Sequence, residues 1–167
     1  RLWTNENGSY TEGHVLEGHE TALTCLRFNH DGTRLFSGDA LVKNAGSTIK
    51  VWDTQSGELL QTLSGHGGLI TDIACNADSS FLATASTDKT VKIWRTDGIR
   101  LTAERSLQHS NPVVCVEFDD ASGLLATGSG ARNHPGALAF WDTESGHRLM
   151  HVPGFEDGVT MLSFIDT

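Results

Sequence analysis

The stretch "ATASTDKTVKIW", residues 83–94, decides the fold. Ala83-Thr84-Ala85-Ser86 reads as one short strand and Thr90-Val91-Lys92-Ile93-Trp94 as a second, rich in β-branched residues, with Thr87-Asp88-Lys89 as the turn between them. Upstream, "FSGDALVKNAGSTIKVWD" (36–53) makes the same excursion, from Ser37 to Trp52, through a longer connection. A hairpin written twice calls for a search for a period.

The period is there. Tryptophans stand at 3, 52, 94 and 141, at intervals of 49, 42 and 47 residues. Comparable openings precede the last three: "EGHETALTCLRF" from 17, "SGHGGLITDIAC" from 64 and "LQHSNPVVCVEF" from 107, with a fourth, "PGFEDGVTMLSF", from 153, in which Phe155 stands where the others have His. Each opening holds apolar residues at matching steps and ends in a turn such as Asn29-His30-Asp31-Gly32 or Asn76-Ala77-Asp78-Ser79. A second strand follows ("RLFSG", "FLATA", "LLATG"), then a tryptophan strand ("TIKVW", "TVKIW", "ALAFW"), then a fourth such as "ELLQTL". Four strands per unit with no helical period make the chain all-β.

Units of about 40–45 residues with four strands, Gly-His at one end and Trp-Asp at the other, resemble the WD-repeat β-propeller family. The resemblance rests on Gly18-His19, Gly65-His66, Trp52-Asp53, Trp141-Asp142 and the segment 84–94, and it spans essentially the whole chain. It implies a β-propeller of four-stranded antiparallel blades, here an incomplete ring: 1–16 the end of one blade, 17–63, 64–107 and 108–152 three blades, and 153–167 the first strand of the next. It also implies a buried tetrad of His66, Thr84, Asp88 and Trp94, with His19, Ser37 and Trp52, and His109, Thr127 and Trp141, as counterparts. Burial explains why such a set must be complete, since an imidazole, a hydroxyl and an indole N–H each cost free energy away from water unless paired.

Composition narrows the function. The net charge of −9, with only 12 scattered Lys and Arg, disfavours nucleic acid as a direct partner, because phosphate binding draws on clustered cations. The odd cysteine count, Cys25, Cys75 and Cys115 inside apolar strand patterns, points to reduced thiols in an intracellular protein of cytoplasm or nucleus. No run approaches the ~18 apolar residues of a membrane span. Ser37, His19 and Asp39 have the residue types of a nucleophile, base and orienter, but the trio recurs along the repeats, which favours a structural network. His147 and His151, four apart on a strand, would lie ~13 Å from each other and could not chelate together. Neither metal nor cofactor is expected.

Function is better sought where the copies diverge. From the second-strand hydroxyl to the Trp, the middle repeat uses ten positions, the first fifteen and the third fourteen. The step back from Thr90 that lands on Asp88 lands on Gly46 and Pro135 in the other copies, so both lack Asp at its usual place, and Asp39 substitutes only if the longer turn folds back. The lengthened turns are either tolerated surface insertions, since lengthening a loop costs only ~0.6 kcal/mol per doubling, or a binding site to which Lys43, Asn44, Arg132, Asn133 and His134 bring donors. With Asp39 and Thr87 these are the candidate partner-binding residues. The expected role is a non-catalytic scaffold for other proteins or peptides in a multiprotein complex, with completing blades from the rest of the chain or another chain. The competing readings are a propeller enzyme with a site near the central channel, and indirect nucleic-acid association within a ribonucleoprotein or chromatin complex.

Overall fold

A computed structural model of the chain describes residues 1–40, 46–98, 100–131 and 134–164. Fourteen strands and no helix occur among them. A hairpin of β1 (Trp3–Glu6) and β2 (Ser9–Glu12) turns through Asn7-Gly8, both at positive φ, as a two-residue turn between right-twisted strands requires. Three four-stranded sheets follow. The first holds β3 (Leu23–Phe28), β4 (Arg34–Asp39), β5 (Ser47–Asp53) and β6 (Leu59–His66). The second holds β7 (Ile70–Cys75), β8 (Phe81–Ser86), β9 (Thr90–Thr96) and β10 (Leu101–Gln108). The third holds β11 (Val113–Asp119), β12 (Leu124–Ala131), β13 (His134–Asp142) and β14 (Arg148–Phe155). Strands pair antiparallel in chain order within each sheet, and the sheets form consecutive propeller blades.

The turns repeat as faithfully as the strands. Asn29 Oδ1 accepts the Arg34 N–H at 2.8 Å, and Asn76 Oδ1 accepts that of Phe81 at 2.8 Å. Asp53 and Asp142, which follow their tryptophans, cap the next turn by accepting the N–H of Ser56 and Ser145, both at 2.7 Å. The blade cores merge: one apolar cluster joins the first two sheets through Ile49, Leu63, Ile70 and Trp94, and a second joins the last two through Val91, Leu107, Val113 and Trp141. Second strands must be thin because a blade packs on each side of them, hence "FLATAS", buried at every position. At Gly38 even one carbon is too many: a Cβ would sit 2.7 Å from the Cys25 sulfur and 2.9 Å from Ile70 of the next blade.

Two sequence readings shift. Gly65-His66, expected to open the second blade, ends β6 in the first sheet, with Ser47 paired to His66, while the His66 ring reaches into the second sheet. Pro153–Phe155, expected to start a new first strand, ends β14 in the third sheet, with Gly136 paired to Phe155. In both places the outer strand of one blade runs on into the opening of the next. Residues 156–164 form no strand, although the Val159 N–H bonds Ser129 O at 3.2 Å and its side chain lies over Gly128 and Cys115, as Ile70 lies over Gly38 and Cys25.

Candidate functional site

In the second blade the four polar residues close on one another. His66 Nδ1 meets Asp88 Oδ2 at 2.9 Å and its Nε2 meets Thr84 Oγ1 at 2.8 Å, while the Trp94 indole N–H donates to the same Oγ1 at 3.0 Å. The carboxylate also accepts from the Thr90 hydroxyl (2.6 Å), the Thr90 N–H (2.9 Å) and the Gly67 N–H (2.9 Å). Burial opposes ionisation of Asp88, but the bonds from Thr90 and His66 outweigh it and hold the carboxyl at about 2. Desolvation wins at His66, whose pKa falls below the usual imidazole value.

The first blade builds the same arrangement from a different position. Asp39 Oδ2 contacts His19 Nδ1 at 2.9 Å, and His19 Nε2 meets Ser37 Oγ at 2.6 Å, with the Trp52 N–H donating to that oxygen at 2.8 Å. Asp39 further accepts from the Thr48 N–H (2.6 Å) and hydroxyl (2.7 Å), as Asp88 does from Thr90. Despite burial, these bonds lower its pKa. No fold-back of the turn is needed. Asp39 is the last residue of β4, two beyond Ser37, where the second blade has Ser86 and the third Ser129, and the strand register brings it opposite Leu23. Asp39 is therefore buried (2% exposed) and fully bonded, which removes it from the partner-binding candidates.

The third blade does not close. The Trp141 N–H donates to Thr127 Oγ1 at 2.9 Å, but that hydroxyl turns to the Ala139 carbonyl at 3.3 Å, and His109 Nε2 is buried with no partner. His109, expected in the tetrad, is thus separated from it. Ala137 stands where Thr48 and Thr90 stand, and no described carboxylate lies within reach of His109. Desolvation first, then the charges of Arg148 and His151, drive its pKa down to about 4. Beside it opens a cavity of about 190 Å³ bounded by Ser129, Asn111, Arg148 and His151.

Ser37–His19–Asp39 has the connectivity of a nucleophile, base and orienter. The hydroxyl is 2% exposed, its oxygen already receives the Trp52 N–H, and the second blade repeats the chain of bonds with a fully buried Thr84. What the arrangement does chemically is satisfy buried polar groups and tie the outer strand of one blade to the core of the next.

Of the remaining partner candidates, Thr87 is tied to the opposing loop, its hydroxyl accepting the Leu69 N–H at 2.9 Å and its N–H donating to Leu69 O at 3.0 Å. His134 is exposed at the start of β13, opposite Ala131, so the third repeat's extra residues lengthen the β12–β13 ladder. Lys43, Asn44, Arg132 and Asn133 lie outside the described residues. The juxtaposition of Arg148 and His151 is not legible in the sequence: three apart on a regular strand they would face opposite ways, but a bulge at Leu149, where Phe140 and Trp141 pair with Met150 and Arg148, returns them to one side.

The profile described as "WD domain, G-beta repeat" matches residues 10–53 and 57–95. Eukaryotic translation initiation factor 3 subunit I of Debaryomyces hansenii is 36% identical over 130 residues, 76% of this chain and 35% of that protein. A protein of Dictyostelium discoideum described as bromodomain and WD repeat-containing is 37% identical over 100 residues, 60% of this chain and 4% of that one. The crystal structure of RRP9 WD40 repeats superposes with a TM-score of 0.73 at 20% identity, covering 87% of this chain and 42% of that one. This chain spans about a third of the initiation-factor subunit it matches.

Proposed function

The chain belongs to the WD domain, G-beta repeat family, and from that premise we propose that it is a non-catalytic scaffold holding other proteins within a multiprotein complex inside the cell. The carrying observation is the fate of its polar clusters: the two complete ones are repeated and bonded internally, and their hydroxyls, the only candidate nucleophiles of these sets, are buried and already receive an indole N–H. Similarity to a translation-factor subunit supports membership of a complex. Partner contacts fall to the exposed His134 and to the lengthened turns with Lys43, Asn44, Arg132 and Asn133, and blades from the rest of the protein or from another chain complete the ring. With a net charge of −9, any nucleic acid is reached through other subunits.

Affinity purification of the full-length protein with quantitative mass spectrometry tests this, run beside a variant whose two turns are cut to the length of the middle repeat. A defined set of proteins, at least one of them lost with the turns, is the expected result. An empty capture defeats the scaffold reading, and an unchanged set defeats the role of the turns.

A further inference from the structure

The third blade is the place where the repeat leaves something open. In the other two, a carboxylate of the same blade sits 2.9 Å from the histidine Nδ1, donated by Asp39 from the end of the second strand or by Asp88 from the turn after it. At the first of these positions the third blade has Ser129, whose hydroxyl points to Ala137 O at 3.2 Å. The histidine remains, its ring held against Trp141 with centroids 5.3 Å apart; its Nε2, the nitrogen that meets the second-strand hydroxyl in the sister blades, is buried and unbonded, and among the described residues no carboxylate meets its Nδ1. A cavity of about 190 Å³ adjoins it, walled also by Arg148 and His151, and no Asp or Glu among the described residues lines that cavity although the protein as a whole carries 21 of them. Local charge decides here, because charges beyond about 8 Å are screened at physiological salt.

We propose that this cavity receives an aspartate or glutamate side chain from a partner polypeptide, which supplies to His109 the carboxylate that Asp39 and Asp88 supply within their own blades. Arg148 and His151 flank the incoming charge, and the Asn111 side chain, bonded to Pro135 O at 2.7 Å, shapes the rim. A carboxylate fits on the geometry of the sister blades, where this same ring meets a planar two-oxygen acceptor that also takes backbone donors. The inference deepens the scaffold reading and rests on it by naming the chemistry of one contact.

The full chain, labelled with ¹⁵N at its histidines, is titrated with the blocked tripeptide Gly-Asp-Gly, its neutral counterpart Gly-Asn-Gly, and inorganic phosphate. The expected result is a saturable shift of the His109 ring nitrogens with the Asp peptide at millimolar or better affinity, at least about tenfold tighter than with the Asn peptide. Arg148→Gln weakens it, and Ser129→Asp, which places the carboxylate in cis, abolishes it. Equal response to both peptides, response to phosphate alone, or undiminished binding by Ser129→Asp overturns the proposal. Should the wild-type protein and Ser129→Asp capture the same partners from cells, the scaffold reading survives and only the carboxylate contact fails.

Discussion

The second and third blades share a fold and differ in how they treat one histidine. In the second, His66 is bonded at both nitrogens and wedged between a carboxylate and a hydroxyl; in the third, His109 occupies the corresponding place with neither. Tryptophan and second-strand threonine remain bonded in both, Trp94 to Thr84 at 3.0 Å and Trp141 to Thr127 at 2.9 Å. A blade therefore stands on its apolar packing and on that single indole bond, while the histidine–carboxylate pair is a separable addition. The first blade agrees, since it keeps the pair after moving its acid from the turn to the end of the second strand.

The largest effect should come from the part the blades share. Trp94→Ala removes a 3% exposed ring and should cost about 3–5 kcal/mol in urea unfolding. A loss under about 1 kcal/mol would mean that the indole does not organise the blade.

Acid separates the two histidines next. His109 titrates at about 4 when folded against the ordinary value of 6.5, so the unfolded chain takes up its proton first. Stability is then level above about pH 6.5 and declines as pH falls toward 4, by roughly 3 kcal/mol from this group. Denaturant midpoints between pH 7 and 4.5 should show that slope. His109→Gln should reduce it without erasing it, because burial also lowers the pKa of His66.

A smaller loss, about 1–3 kcal/mol, is expected for Asp88→Asn, which weakens the acceptor shared by His66, Thr90 and Gly67. Asp39→Asn should cost about as much in the first blade. Equal thermal midpoints for wild type and either variant would show that the carboxylates contribute nothing, and the contrast between blades would lose its energetic meaning.

The sequence carried the architecture because blade-forming residues recur: Trp spacing, Asn and Asp turns and thin second strands have the same physical cause in every copy. It was less informative where one interaction is built from different positions. Counting back from the tryptophan strand makes Asp39 depend on a turn that folds back, whereas the relevant ruler runs from Ser37 along β4, where two residues is one step on the same face. Arg148 and His151 were hidden by the Leu149 bulge, which no residue pattern announced. The kinship of Cys25 and Cys115 with Asp72, each opposite the small residue after its second-strand hydroxyl (Gly38, Gly128 and Ala85), emerges only from the register. Asp72 uses that place to accept the Val116 N–H of the next blade at 3.0 Å.

The third blade keeps the framework of the others but has neither the carboxylate nor its threonine, and its histidine is left off the second-strand hydroxyl. Ser129→Asp combined with Ala137→Thr should restore both, at the positions of Asp39 and Thr48. Following the His109 ring by NMR through a pH titration is the direct test. The pKa should rise from about 4 by more than about one unit as the new carboxylate pairs with the imidazole. A His109 that still titrates at about 4 in the folded double variant would mean that the missing carboxylate is not what leaves the ring unpaired.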